Sequence, residues 1–309
     1  MDAKTVLATI REYPFYLGHS DFVAKTEWKS ATTGSGTEDV LVGSNGDPAV
    51  CWAVGTVQGD DYYLNSVCGF DPGRIPAWQA SKGPLRALAE SKGSALIGPV
   101  PSLTSEFNLY KENLEAVFSA VLPYTDQSGM LVKRGERVFF KVVHQMFSLR
   151  DGVSPDDIAS VAPTERTSDL EDDEVLDTEL LPAFRIANWP VPDSCVRLRD
   201  AMVKTHQVNP LPAFMNGNKH PIVPTNYTRF LRGAIVQIGF TISHKVLRRK
   251  IPVSFFTATI DEIVVLQSHA PADLSPSKAR FATRFLMNPP EEESANEGSS
   301  GRPNKRRRA

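Results

Sequence analysis

Cysteine is scarce in this sequence, with three residues in a chain of 309. Cys51, Cys68 and Cys195 are too few for a disulfide framework, and none of them forms a CxxC motif. Long apolar runs are missing too: no window approaches the roughly 18 apolar residues of a membrane-spanning helix, and the first apolar run is too short for a secretion signal. We therefore expect an intracellular chain with no membrane partner.

Sequence motifs for catalysis are also missing. The chain contains no GxxxxGK[ST] phosphate loop, no GxSxG nucleophile turn and no HExxH zinc motif. Its six histidines are not spaced as metal ligands from one another or from a cysteine. The sequence predicts no catalytic residue, no metal and no cofactor, which favours a protein that is not an enzyme.

Charge is present but unevenly distributed. The net charge of −2 indicates no partner by itself, whereas residues 165–179 hold eight acids and one base. Residues 229–250 hold six bases and no acid, and residues 302–308 hold five bases. Charge that is segregated in this way is what a charged partner recognises.

The first 150 residues mix helix and strand signals. Ser105 is placed to cap a helix over residues 106–122, in which Phe107, Leu114, Phe118 and Val121 form one apolar stripe, and residues 95–98 resemble a short buried strand. Gly135 predicts the turn of a hairpin, and Gly59 predicts a second hairpin turn that would set Cys51 opposite Cys68. We predict an α+β domain over residues 1–150.

The remaining chain divides by composition into three parts. Residues 151–180 are rich in Asp, Glu, Ser and Pro and predict an exposed acidic linker. Residues 181–270 predict a helix over 195–207, strands over 233–243, 253–259 and 261–266, and a bulge or bend at Gly239. This part should be a small curved β-sheet or an OB-like barrel with a preceding helix, within a fold of the α+β class. Residues 271–309 lose all periodicity and predict a mostly disordered tail with a basic end.

The block over residues 211–266 carries a resemblance to known sequences. It begins Leu-Pro-Ala-Phe, continues through Gly-Ala-Ile-Val and Phe-Thr-Ile-Ser-His, and ends Ile-Val-Val-Leu. In this order it resembles a segment of uncharacterised proteins from mushroom-forming fungi. The resemblance implies no activity and no site residues, and the basic residues 245–250 are a departure from its pattern.

The bases between residues 229 and 250 are the candidate binding site. Basic side chains on a strand–turn–strand unit can contact successive phosphates while nearby phenylalanines stack on nucleobases, as on small barrels that bind single strands. The predicted nucleic-acid-binding residues are Arg229, Arg232, His244, Lys245, Arg248, Arg249 and Lys250. The alternative is an ordinary solvated turn, or one neutralised by the acidic linker folding back on it.

The C-terminal bases predict the cellular compartment. Lys305, Arg306, Arg307 and Arg308 form a short basic run of the kind that nuclear import receptors bind, so we expect a nuclear protein. The sequence then favours a nuclear accessory protein that associates non-specifically with nucleic acid. The alternative function is a protein-interaction or scaffold module that uses the acidic linker or a sheet edge.

Overall fold

The computed structural model describes residues 3–33, 36–121, 126–154, 177–247 and 250–269. Within these residues the α-helices are α1 (Ala3–Ile10), α2 (Ala77–Ala80), α3 (Gly83–Ala89), α4 (Thr104–Ser119), α5 (Val196–Met202) and α6 (Tyr227–Leu231). Short 3-10 turns occupy Val23–Lys25, Pro72–Arg74, Pro101–Leu103, Pro182–Phe184, Ile186–Asn188, Asp193–Cys195 and Pro224–Asn226.

The described strands comprise a large mixed sheet and a separate two-stranded pair. They are β1 (Thr26–Thr33), β2 (Gly36–Gly43), β3 (Cys51–Val57), β4 (Lys92–Gly98), β5 (Asp126–Ser128), β6 (Leu131–Arg134), β7 (Arg137–Gln145), β8 (Phe147–Leu149), β9 (His206–Val208), β10 (Ala213–Met215), β11 (Ile235–Leu247) and β12 (Val253–Gln267). Helices and a mixed sheet in one chain confirm the predicted α+β class.

Five strands of the large sheet close into a ring. Following the pairings, β3 joins β4, β4 joins β7, β7 joins β12, β12 joins β11, and β11 returns to β3. The strands are antiparallel except β7 with β12, the third and fifth strands of the ring in chain order. A five-stranded barrel with this order has the Greek-key topology of the OB type.

Side-chain alternation separates the interior of the barrel from its outer face. On β11 every second side chain is buried in the core: Val236, Ile238, Phe240, Ile242 and His244. The register shifts between Gly239 and Phe240, where Asp261 on β12 is the extra residue of the bulge predicted at Gly239. A Cβ at position 239 would lie 2.8 Å from the Trp52 ring, so glycine is required for this contact.

Helix α4 packs its apolar face against residues of the barrel interior. Phe107 stacks on Phe140 with ring centroids 5.3 Å apart, and Phe118 stacks on Phe256 at 4.0 Å. These contacts bury the stripe of side chains from which the helix is predicted. The helix, which lies in the connection between β4 and β7, is therefore part of the core.

The expected division into separate domains over residues 1–150 and 181–270 is corrected by the strand order. In the ring, β11 and β12 come from the second part of the chain, whereas β3, β4 and β7 come from the first. The indole N–H of Trp189 also donates to the backbone oxygen of Ser66, 2.8 Å away. The described residues up to His269 belong to one compact unit, because neither set of strands completes a barrel alone.

The acidic stretch is an insertion into this unit rather than a linker between two units. Arg150, which precedes it, makes a two-pronged ion pair with Asp177, near its end, at 2.7 and 3.0 Å. The Arg150 guanidinium also donates to the backbone oxygen of Val203. Residues 155–176 lie outside the described residues, and this ion pair joins the chain on either side of them.

Local predictions had mixed outcomes. The hairpin at Gly135 is confirmed, because Arg134 pairs with Arg137 there. The hairpin at Gly59 is wrong, since Cys51 pairs with Phe240 and not with Cys68. The helix predicted over 195–207 is shorter and ends at Met202, and the two predicted strands after residue 253 are one strand, β12.

The shared barrel predicts that neither part folds alone. We expect residues 181–269, expressed without the first 180, to give no cooperative thermal unfolding and no dispersed amide NMR spectrum, because β11 lacks β3 and β12 lacks β7. Mixing this fragment with residues 1–180 should restore both signals. A cooperative transition in the isolated fragment would contradict the shared barrel.

Candidate nucleic-acid interface

The predicted basic residues lie partly on the connection between β11 and β12. We call Lys245, Arg248, Arg249 and Lys250 the basic loop. The hairpin is paired up to Leu247 opposite Val253. Lys245 and Lys250 are exposed, as are Val246 and Ile251 at 41% and 65%. Arg248 and Arg249 lie outside the described residues, within the same short connection between the strands.

Lys245 and Lys250 are free to meet an anion. Neither side chain makes an ion pair or a hydrogen bond with any residue that the structure describes. Lys245 lies over the ring of Phe255, directly opposite it in the hairpin, with its amine 6.0 Å from the ring centroid. A cation held on an aromatic face keeps its charge available to solvent. The described part of the basic loop, Lys245 and Lys250, is therefore exposed and positively charged.

His244 does not belong to this surface, contrary to the sequence prediction. Its side chain is 1% exposed and points into the core, where its ring lies 4.8 Å from Phe256 and 6.0 Å from Trp28. Its Nδ1 is 3.1 Å from Asp39, whereas its Nε2 is buried with no hydrogen-bond partner among the described residues. His244 supports the base of the loop and does not reach a phosphate.

Asp39 is held as a carboxylate by its two partners. Burial alone would raise the pKa of Asp39, but hydrogen bonds from Ser30 and His244 outweigh burial and lower that pKa. The Ser30 hydroxyl donates to Asp39 at 2.6 Å. This small network joins β1, β2 and β11 next to the basic loop.

Arg229 and Arg232 lie at the opposite end of β11. The strand has 13 residues, so its ends are about 40 Å apart along the backbone. Arg232 donates to the backbone oxygen of Gly59 at 3.0 Å, and Arg229 lies 5.3 Å from the ring centroid of Phe230. The six bases therefore form two separate groups, and the structure does not bring them onto one surface.

OB-type proteins use the outer face of the second and third barrel strands for oligonucleotides, and in this chain the part formed by β4, the second strand, is closed. Every residue of β4 after Lys92 is buried. The segment after β3 continues the pairing along β4: the backbone N–H of Gln58 donates to the oxygen of Leu96 at 2.8 Å, and that of Tyr63 donates to the oxygen of Ser94 at 2.7 Å. A bound strand has no access to that face.

Several other titratable groups lie in the core. Burial lowers the pKa of His144 and of His206, which favours their neutral forms. Burial raises the pKa of the free thiols Cys51 and Cys68. The described residues contain no cluster of ligands for a metal ion, and none of their helices has the length and apolar character to cross a membrane.

Two predicted features fall on parts of the chain outside the described residues: the basic run Lys305, Arg306, Arg307 and Arg308, and most of the acidic stretch. Comparison with known proteins finds no matching family model, no matching curated protein and no matching solved structure.

The network at the base of the basic loop gives a stability prediction. Asp39→Ala should lower the free energy of unfolding by about 1–3 kcal/mol, because it leaves Nδ1 of the buried His244 without a partner. Ser30→Ala, which keeps the His244 contact, should cost only about 0.5–1.5 kcal/mol. Urea denaturation of the two variants measures both values, and an Asp39→Ala protein as stable as the original would contradict this role.

Proposed function

We propose that this chain is a non-enzymatic accessory protein that associates with nucleic acid, without sequence specificity, through the basic loop. The observation that carries the proposal is the position of the loop. It connects the fourth and fifth strands of an OB-type barrel, and in OB-folds this connection contacts oligonucleotides. Its described lysines are exposed and free of ion pairs among the described residues.

The number of bases limits the strength of this binding. Four phosphate contacts on a single strand give a slope of log affinity against log salt of about −0.7 times four, roughly −3. Phosphate contacts position a nucleic acid and carry no sequence information by themselves. The proposed association is therefore weak, salt-sensitive and indifferent to sequence.

Charge reversal at the basic loop tests the proposal. Replacing Lys245, Arg248, Arg249 and Lys250 with Glu in the full chain should abolish binding to single-stranded oligonucleotides, because the phosphates then meet four acids. Fluorescence anisotropy across salt concentrations measures the affinity, and the original protein should show the slope of roughly −3.

A matched control separates position from total charge. Lys4, Lys204, Lys219 and Arg229 are exposed bases outside the loop, and replacing these four with Glu changes the net charge by the same amount. This control variant should retain most of the affinity. Equal loss in both variants, or no binding by the original protein at low salt, would refute the loop as the binding site.

We also propose that the protein acts in the nucleus. The C-terminal run Lys305, Arg306, Arg307 and Arg308 supports this, because import receptors bind short basic runs on an accessible chain. Neither nuclear import nor nucleic-acid binding requires the other, since the two groups of bases are separate in the sequence.

Import is tested with a fluorescent fusion of the full chain. Replacing the four terminal bases with Ala should move the fusion from the nucleus to the cytoplasm, because the receptor loses its cationic contacts. The loop-reversal variant should still enter the nucleus. If instead the tail variant stays nuclear, the terminal run is not the import signal.

A second candidate function is a protein-interaction module, favoured by the edge strand β1. Among the described strands β1 pairs only with β2, so its outer backbone groups are open to an added strand over eight residues. A partner that still binds after reversal of the basic loop would favour this function. Loss of all binding in that variant would favour the nucleic-acid function.

A further inference from the structure

The outer face of the barrel beside the basic loop carries a set of paired hydroxyl groups. Ser243 on β11 lies directly opposite Thr257 on β12, and Thr241 lies opposite Thr259. Their sequence neighbours on both strands are buried in the core, so these four side chains point outward. Thr259 is exposed and the other three are half-buried, which leaves this face open to a ligand.

The pairing extends this face across five strands. On one side Ser243 pairs with Val40, and Val40 pairs with Lys29. On the other side Val142 pairs with Ala258 in parallel, which places Lys141 beside Thr257. We call this set the outer row: Lys141, Thr257, Ser243, Val40 and Lys29. At about 4.8 Å per strand, its four steps span about 19 Å, with a lysine at each end and hydroxyl groups between them.

Phe255 links the outer row to the basic loop. It precedes Thr257 by two residues on β12, so both point to the same face. The ring is half-buried, and Lys245 of the basic loop lies over it. An accessible aromatic ring beside cations is a surface on which a nucleobase can stack.

We infer that a single nucleic-acid strand bound at the basic loop continues across the outer row, with one nucleobase stacked on Phe255. The inference rests on the proposed function and gives it a ligand class: an unpaired strand, DNA or RNA, rather than a duplex. A duplex keeps its bases stacked on each other, whereas an unpaired base can leave its neighbours and lie on the ring. This path of the nucleic-acid strand avoids the outer face of β4, which is closed.

The charges of the outer row fit this path. Lys141 has no ion pair among the described residues and is available to a phosphate. Lys29 is exposed, but its amine makes an ion pair with Glu27 at 3.0 Å, so it contributes less to phosphate binding than Lys141. The hydroxyls of Ser243 and Thr257 can donate to phosphate oxygens between the two bases.

Removal of the aromatic ring tests the path. Phe255→Leu in the full chain keeps an apolar side chain of similar size but loses the stacking face. We expect its affinity for a single-stranded oligonucleotide to fall by about 5- to 150-fold, the effect of one stacked base. The salt slope should stay the same, because no cation is lost. Fluorescence anisotropy with DNA and RNA strands, and with a duplex, measures both quantities.

The matched control is Phe230→Leu. Phe230 is also half-buried with a base over its ring, Arg229, but it lies at the other end of β11. This variant should bind as the original protein does, and duplex binding should respond to neither substitution. If Phe255→Leu binds normally while reversal of the basic loop abolishes binding, the path is wrong and the proposed function stands. If the original protein binds no oligonucleotide, both are wrong.

A second variant keeps the test decisive if Phe255→Leu does not fold. Lys141→Gln should weaken single-strand binding and reduce the magnitude of the salt slope by about 0.7, the share of one phosphate contact. Lys92→Gln, an exposed base on the neighbouring strand β4, should leave both unchanged. An unchanged slope for Lys141→Gln would place the strand elsewhere.

Discussion

The pairing of β11 with β3 is the contact on which the rest of the structure depends. It joins the fourth strand of the barrel to the first across a long sequence separation and so closes the ring. The closed ring brings the interior residues into one core and sets α4 against Phe140 and Phe256. It also fixes the end of the barrel from which the basic loop emerges.

The register of β11 determines which of its side chains form the outer face of the barrel. Inward residues of β11 such as Ile242 and His244 are locked by packing and by Asp39, so Ser243 and Lys245, each next to one of them, must point outward. A slip of one residue would exchange the two sets and bury the lysine. The apolar core therefore places the proposed binding face, although none of its side chains would contact a ligand.

Features with a local signal could be predicted from the sequence, and those that depend on distant strands could not. The stripe of α4, the turn at Gly135 and the bend at Gly239 are all local. The false hairpin at Gly59 had good turn chemistry, but the N–H of Gln58 and of Tyr63 bond to β4 instead. The burial of His244 could be predicted from the sequence, because it follows Phe240 and Ile242 at a spacing of two residues and so lies on the same face of the strand. The outer row had none, because its five members come from five strands.

The order of the strands restricts where a bound strand can lie. β7 and β12 are parallel, so the basic loop before β12 lies at the end of the barrel where β7 begins. Lys141, Ser243 and Thr257 of the outer row are close to that end along their strands. Arg229 and Arg232 precede β11 and are separated from the loop by the length of that strand. The loop and the outer row therefore share one half of the barrel, and a strand that contacts both would stay within that half.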